Sequence, residues 1–67
     1  MEQQWIKIYT TNNIYHAEMI KKMLADNEIE SFIINKMDSS YFFGDIEIYT
    51  LPDLVMRSKL LIDKFEH

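Results

Sequence analysis

Trp5 to Thr10 alternates, with Ile6 and Ile8 on one side and Trp5, Lys7 and Tyr9 on the other. A period of two built from β-branched and aromatic residues predicts a strand with an aliphatic face and an aromatic face carrying one lysine. From Ile14 to about Asn27 the step changes: Ile14, Ala17, Ile20 and Leu24 recur at spacings of three and four, with Met23 beside them. That stripe predicts a helix. Asn12-Asn13 supply its N-cap pair, and Asp26-Asn27 its stop. Glu18 and Lys22 fall one turn apart on its outer side, in the favourable order for a surface pair. Ile29 to Asn35 is a second strand, too continuously apolar for its two faces to be told apart. Asp45 to Thr50 alternates again, Ile46 and Ile48 one way, Glu47 and Tyr49 the other. Pro52 then bars further pairing and suits the first turn of a helix, where Asp53 is also favourable. Leu54, Val55, Ser58, Leu61, Ile62 and Phe65 form the apolar stripe of that helix, which runs to about Phe65.

The order β-α-β-β-α predicts an α+β domain with two helices on one face of a three-stranded sheet. Lys36 to Gly44 follows neither period, and Asp38-Ser39-Ser40 is turn chemistry. A short connection there lets the second and third strands pair antiparallel. A crossover through the first helix sets the first strand parallel to the third or to the second, which makes the sheet mixed. The arrangement expected is a ferredoxin-like split β-α-β, strand order 2-3-1, without its last strand. The first strand then has an open edge, and one sheet face is left uncovered.

Composition narrows the class. The chain has 67 residues, of which 48% are hydrophobic, so a single globular domain over residues 1–67 is expected rather than a disordered chain. Cysteine is absent, which removes disulfides, thiolate zinc sites and thiol nucleophiles together. The opening MEQQWIKIYT has neither a basic segment nor a long apolar one, and a cytoplasmic location is expected. The longest apolar runs are too short to span a bilayer. Seven basic residues against eleven acidic ones give a net charge of −4. That balance argues against nucleic acid or an anionic membrane as the partner.

Reactive chemistry is thinly represented. The single glycine, Gly44, cannot build a phosphate-binding loop. His16 lacks metal-ligating companions and reads as a boundary or surface histidine; His67, the last residue, is assigned no role. Asp26, Glu28 and Glu30 read as a solvated acidic turn, and no serine or threonine has a base beside it. Met19, Met23 and Met56 read as core and boundary filling. The expectation is a protein that is not an enzyme and carries no catalytic residues, cofactor or metal. It would act by binding. The candidate partner-binding residues are Trp5, Lys7, Tyr9, Glu47 and Tyr49 on the open sheet face, with Lys7 and Glu47 as a cross-strand pair. Tyr41, Phe42 and Phe43 join them as an aromatic recognition loop. A protein partner and a homo-oligomer, dimer or trimer, formed through the sheet face or the first-strand edge are expected. A small-molecule sensor, taking a nucleotide or metabolite on the open face, is the alternative. A nucleic-acid-binding module stacking bases on the aromatics is a further one, opposed by the acidic charge.

These positions also resemble a small bacterial family described as prokaryotic signal-transducing proteins, whose biochemical role is unassigned. Trp5 opens the first strand, Asn12-Asn13 form the turn, Ala17-Glu18 stand in the helix and Leu24 fills its leucine position. Ile29 leads the second strand, Ile46 and Ile48 mark the third, and Asp53 opens the last helix. The match covers nearly the whole chain through fold-defining positions. Glu28 stands where the family usually has Gly, and Ser58 where it usually has Ala. The resemblance implies a ferredoxin-like core similar to that of the PII-type nitrogen regulators, whose long loop between the second and third strands carries a modifiable tyrosine. Tyr41 is the positional counterpart in a much shorter loop, and the phosphate-binding segments of those regulators have no counterpart here.

Overall fold

The computed structural model describes residues 4–37 and 44–66. Tyr41, Phe42 and Phe43 lie outside the described residues. Among the described residues, three strands, β1 (Ile6–Thr11), β2 (Ser31–Asn35) and β3 (Ile46–Thr50), and two helices, α1 (Ile14–Asp26) and α2 (Val55–Glu66), follow in the order β1-α1-β2-β3-α2. Pro52–Leu54 forms one 3₁₀ turn ahead of α2. The proline ring therefore opens a tighter turn than the α-helical start expected at that point.

The strand order is β1-β3-β2, read from the other edge than the expected 2-3-1, with β3 at the centre. The sheet is antiparallel, not mixed: β3 runs opposite to both neighbours. The α1 crossover returns the chain in its original direction, so β1 and β2 point the same way. The short β2–β3 connection then reverses it, and β3 inserts between them.

Ile46, Ile48 and Thr50 of β3 are fully buried against the helices, with Ala17, Ile20 and Leu24 of α1 and Ile62 of α2. The helical periodicities therefore give the layer its shape, each apolar stripe seating on the aliphatic side of the sheet. Thr50 Oγ1 donates to the carbonyl of Glu30, which satisfies its buried hydroxyl. Ser58 is also fully buried, and its Oγ has no hydrogen-bond partner. Met23 packs against the core, whereas Met19 and Met56 are 56% and 80% exposed, so the expected methionine filling holds for one of the three. Lys22 pairs with Asp26 at 3.3 Å, one turn onward, instead of with Glu18.

Both ends of β2 are set by backbone geometry. At the end of α1 the amide of Ile29 donates to Leu24 O (2.9 Å) and that of Glu28 to Ala25 O (3.0 Å). This is the paired bonding that closes a helix on a left-handed residue, and Glu28 sits there at φ 62°. Glycine, which the resemblance implies at that position, is the residue such a turn favours. Ile29, expected to lead the strand, instead belongs to this turn and is buried beside Leu24. At the other end, the amide of Lys36 donates to Asp45 O at 2.9 Å, and Gly44 holds φ 118°. A Cβ on Gly44 would stand 2.3 Å from Lys36 O, so only glycine allows so close an approach.

Candidate functional site

The helices leave one face of the sheet uncovered. Its central groups come from β3, where Glu47 and Tyr49 alternate away from the buried isoleucines. The register sets Phe32 and Ile34 of β2 beside Tyr49 and Glu47, and Lys7 of β1 on the other side of Tyr49. The Phe32 ring stacks on Tyr49, centroids 5.3 Å apart and planes 8° apart, and Trp5 meets Phe32 edge-on at 4.8 Å. Both geometries are favoured by the ring quadrupoles.

Glu47 lies among these rings and is only 6% exposed. A buried carboxylate needs partners, and this one has three. Tyr49 Oη donates to its Oε1 at 2.8 Å, and Lys36 Nζ lies 3.2 Å from the same oxygen. Lys7 Nζ donates to Oε2 at 3.4 Å. The Tyr49 hydroxyl, with Lys36 and Lys7, holds the Glu47 carboxyl below its ordinary pKa, outweighing the opposing effect of desolvation. Reciprocally, the hydrogen bond to Glu47 raises both the Tyr49 phenol and the Lys36 ammonium.

Trp5, Lys7, Glu47 and Tyr49 are thus brought together, and the expected Lys7–Glu47 pair forms diagonally, Lys7 standing opposite Tyr49. Tyr9 is not on this face. The pairing of β1 slips between Lys7 and Tyr9, so Tyr9 stands opposite the buried Ile48. A bulge sets an extra residue, here Ile8, against the partner strand and so reverses the alternation beyond it. Tyr9 accordingly turns to the helix side. Its hydroxyl donates to Glu66 Oε2 at 2.6 Å and lies 3.0 Å from His16 Nε2. The bond to Glu66, with burial, pushes the Tyr9 phenol up to about 12. His16 is flanked by the rings of Tyr9 and Phe65. It is a boundary residue that joins β1 to both helices.

Sequence reasoning missed Phe32, Ile34 and Lys36. The unbroken apolar run of β2 hides which residues face outward; only the pairing with the clearly alternating β3 resolves them. Among the described residues, no group of three or more His, Asp or Glu side chains is placed to hold a metal ion. No helix among them is long and apolar enough to cross a membrane.

Residues 5–62 match the model of a family described as "Putative prokaryotic signal transducing protein". The chain belongs to that family. The matched span runs from Trp5 on the open face to Ile62 in the core, and so contains every residue of the aromatic and carboxylate cluster. No curated protein and no solved structure matches the chain.

Proposed function

We propose that this member of the signal-transducing family is a non-enzymatic regulatory or adaptor module of the cytoplasm, with a ferredoxin-like core lacking its last strand. It binds a protein partner through the open sheet face. The observation that carries this reading is the Trp5–Phe32–Tyr49 ring array around a carboxylate held by Tyr49, Lys36 and Lys7. Aromatic side chains in a packed cluster are the usual energetic centre of protein interfaces. Their mutual contacts order them before binding, which lowers the entropy lost when a partner arrives.

Trp5 is the only tryptophan in the chain, so its emission reports occupancy of this face. A partner recovered with the native protein is expected to shift that emission on titration. Phe32→Ser and Tyr49→Ser are expected to abolish the titration while circular dichroism stays unchanged. Emission that stays constant at saturation, or binding that survives both substitutions, would place the contact elsewhere. A thermal-shift screen with nucleotides and metabolites tests the sensor alternative, because a ligand that binds only the native state raises the melting temperature.

A further inference from the structure

We infer that the β2 edge pairs with the β2 edge of a second copy, joining two three-stranded sheets into one continuous antiparallel sheet. This rests on the edge and not on the open face. The bond from the Lys36 amide to Asp45 O marks Lys36 as a residue whose backbone points at β3. Hydrogen-bonded and non-bonded pairs alternate along an antiparallel ladder. Counting back along the unbroken β2–β3 register, Ile34 and Phe32 also point at β3. Ser31, Ile33 and Asn35 therefore direct their N–H and C=O groups out of the sheet.

The strand is matched to itself. Antiparallel pairing centred on Ile33 sets Ile33 against Ile33, Phe32 against Ile34 and Ser31 against Asn35 of the other copy. Apolar meets apolar, polar meets polar, and no charge opposes a like charge, since Ser31–Asn35 contains none. Every outward group then finds a partner, in about six new backbone hydrogen bonds. Phe32 and Ile34 fall in the closer, non-bonded pairs, where cross-strand side chains touch best. Ile34, 36% exposed, gains cover there, and the ring array of each copy continues across the junction. A shallow groove between α1 and this edge, lined by Glu18, Lys21, Lys22, Ala25, Phe32 and Ile33, supplies the polar rim. The devices that usually block an edge are missing from β2: it has no proline, no bulge and no lysine.

The test is solution mass by light scattering over a concentration series, with two variants. The native chain is expected to move from 8.1 kDa to twice that mass. Ile34→Lys is expected to weaken dimerisation at least about tenfold, since lysine on an edge strand blocks pairing, with no loss of melting temperature at concentrations where the native chain is a monomer, because the new ammonium lies beside Glu47 of its own copy. The chain contains no cysteine, so Ile33→Cys provides a unique thiol. Bonded antiparallel residues have Cα atoms about 5.5 Å apart, within disulfide reach. Mild oxidation should link Ile33→Cys into a dimer, and leave Thr10→Cys on β1 largely unlinked. A mass fixed at one chain throughout the series, or equal linking at both edges, would overturn the inference. So would a monomer that takes up an unrelated extended peptide at β2.

Discussion

The two edges of the sheet are held in place by different means. At β1 the work is done by side chains: Tyr9 bonds Glu66 of α2 and touches His16 of α1, and the bulge between Lys7 and Tyr9 interrupts the ladder. At β2 it is done by backbone, through the left-handed turn at Glu28 and the close pass of Gly44 over Lys36. One edge is tied to the helices and irregular. The other packs against α1, but its ladder is regular, its strand is uncharged and its outward backbone groups are open. An edge of the first kind resists pairing with another chain, and one of the second kind invites it. So small a domain thereby exposes an open sheet without two equivalent sticky borders.

Gly44→Ala has the largest expected effect, and it falls on the β2 edge. The new Cβ meets the carbonyl of Lys36 at 2.3 Å in a backbone conformation that alanine avoids. Destabilisation of about 2–4 kcal/mol is expected from clash and strain together. That is a large share of the stability of a chain this size, and denaturant melts will measure it. A loss under about 0.5 kcal/mol would mean that the hairpin tolerates a wider turn and that β2 is not fixed by it.

Tyr9→Phe acts on the other edge. Loss of the hydrogen bond to Glu66 is expected to cost about 1 kcal/mol near neutral pH. The phenol is raised from 10.0 to about 12 in the folded protein. Its contribution is therefore present in full below pH 10 and lost as the pH rises towards 12. The stability difference between native protein and variant should shrink across that window, as urea melts at several pH values will show. A difference that stays flat would remove the Tyr9–Glu66 clamp from the account.

Glu28→Gly should have the smallest effect, a gain of about 0.5–1 kcal/mol in thermal or urea melts, because glycine adopts the left-handed turn without strain. A loss instead would mean that the Glu28 side chain holds the entry to β2.

Much of this fold is legible in the residue pattern. The alternation of Ile46, Glu47, Ile48 and Tyr49 identifies the central strand and both of its faces, and the stripe from Ile14 to Leu24 identifies α1. Four of the seven open-face residues follow from the same alternation: Trp5, Lys7, Glu47 and Tyr49. What the pattern does not carry is register. Tyr9 alternates correctly in sequence yet faces the helices, because one bulged residue reverses everything beyond it. Phe32 and Ile34 sit in the apolar run Phe32-Ile33-Ile34, which has no alternation, so only pairing with β3 gives them a side. Sheet direction is lost for a related reason: local periodicity says nothing of how a crossover and a hairpin combine.

The most direct test is hydrogen exchange at the backbone amides of β2 in the native protein, followed against concentration. The Ile33 amide, directed out of the single sheet, should gain at least about tenfold protection as the protein is concentrated, while Lys7 on the bulged edge should not change. An Ile33 amide that exchanges equally fast at every concentration would contradict pairing at the β2 edge.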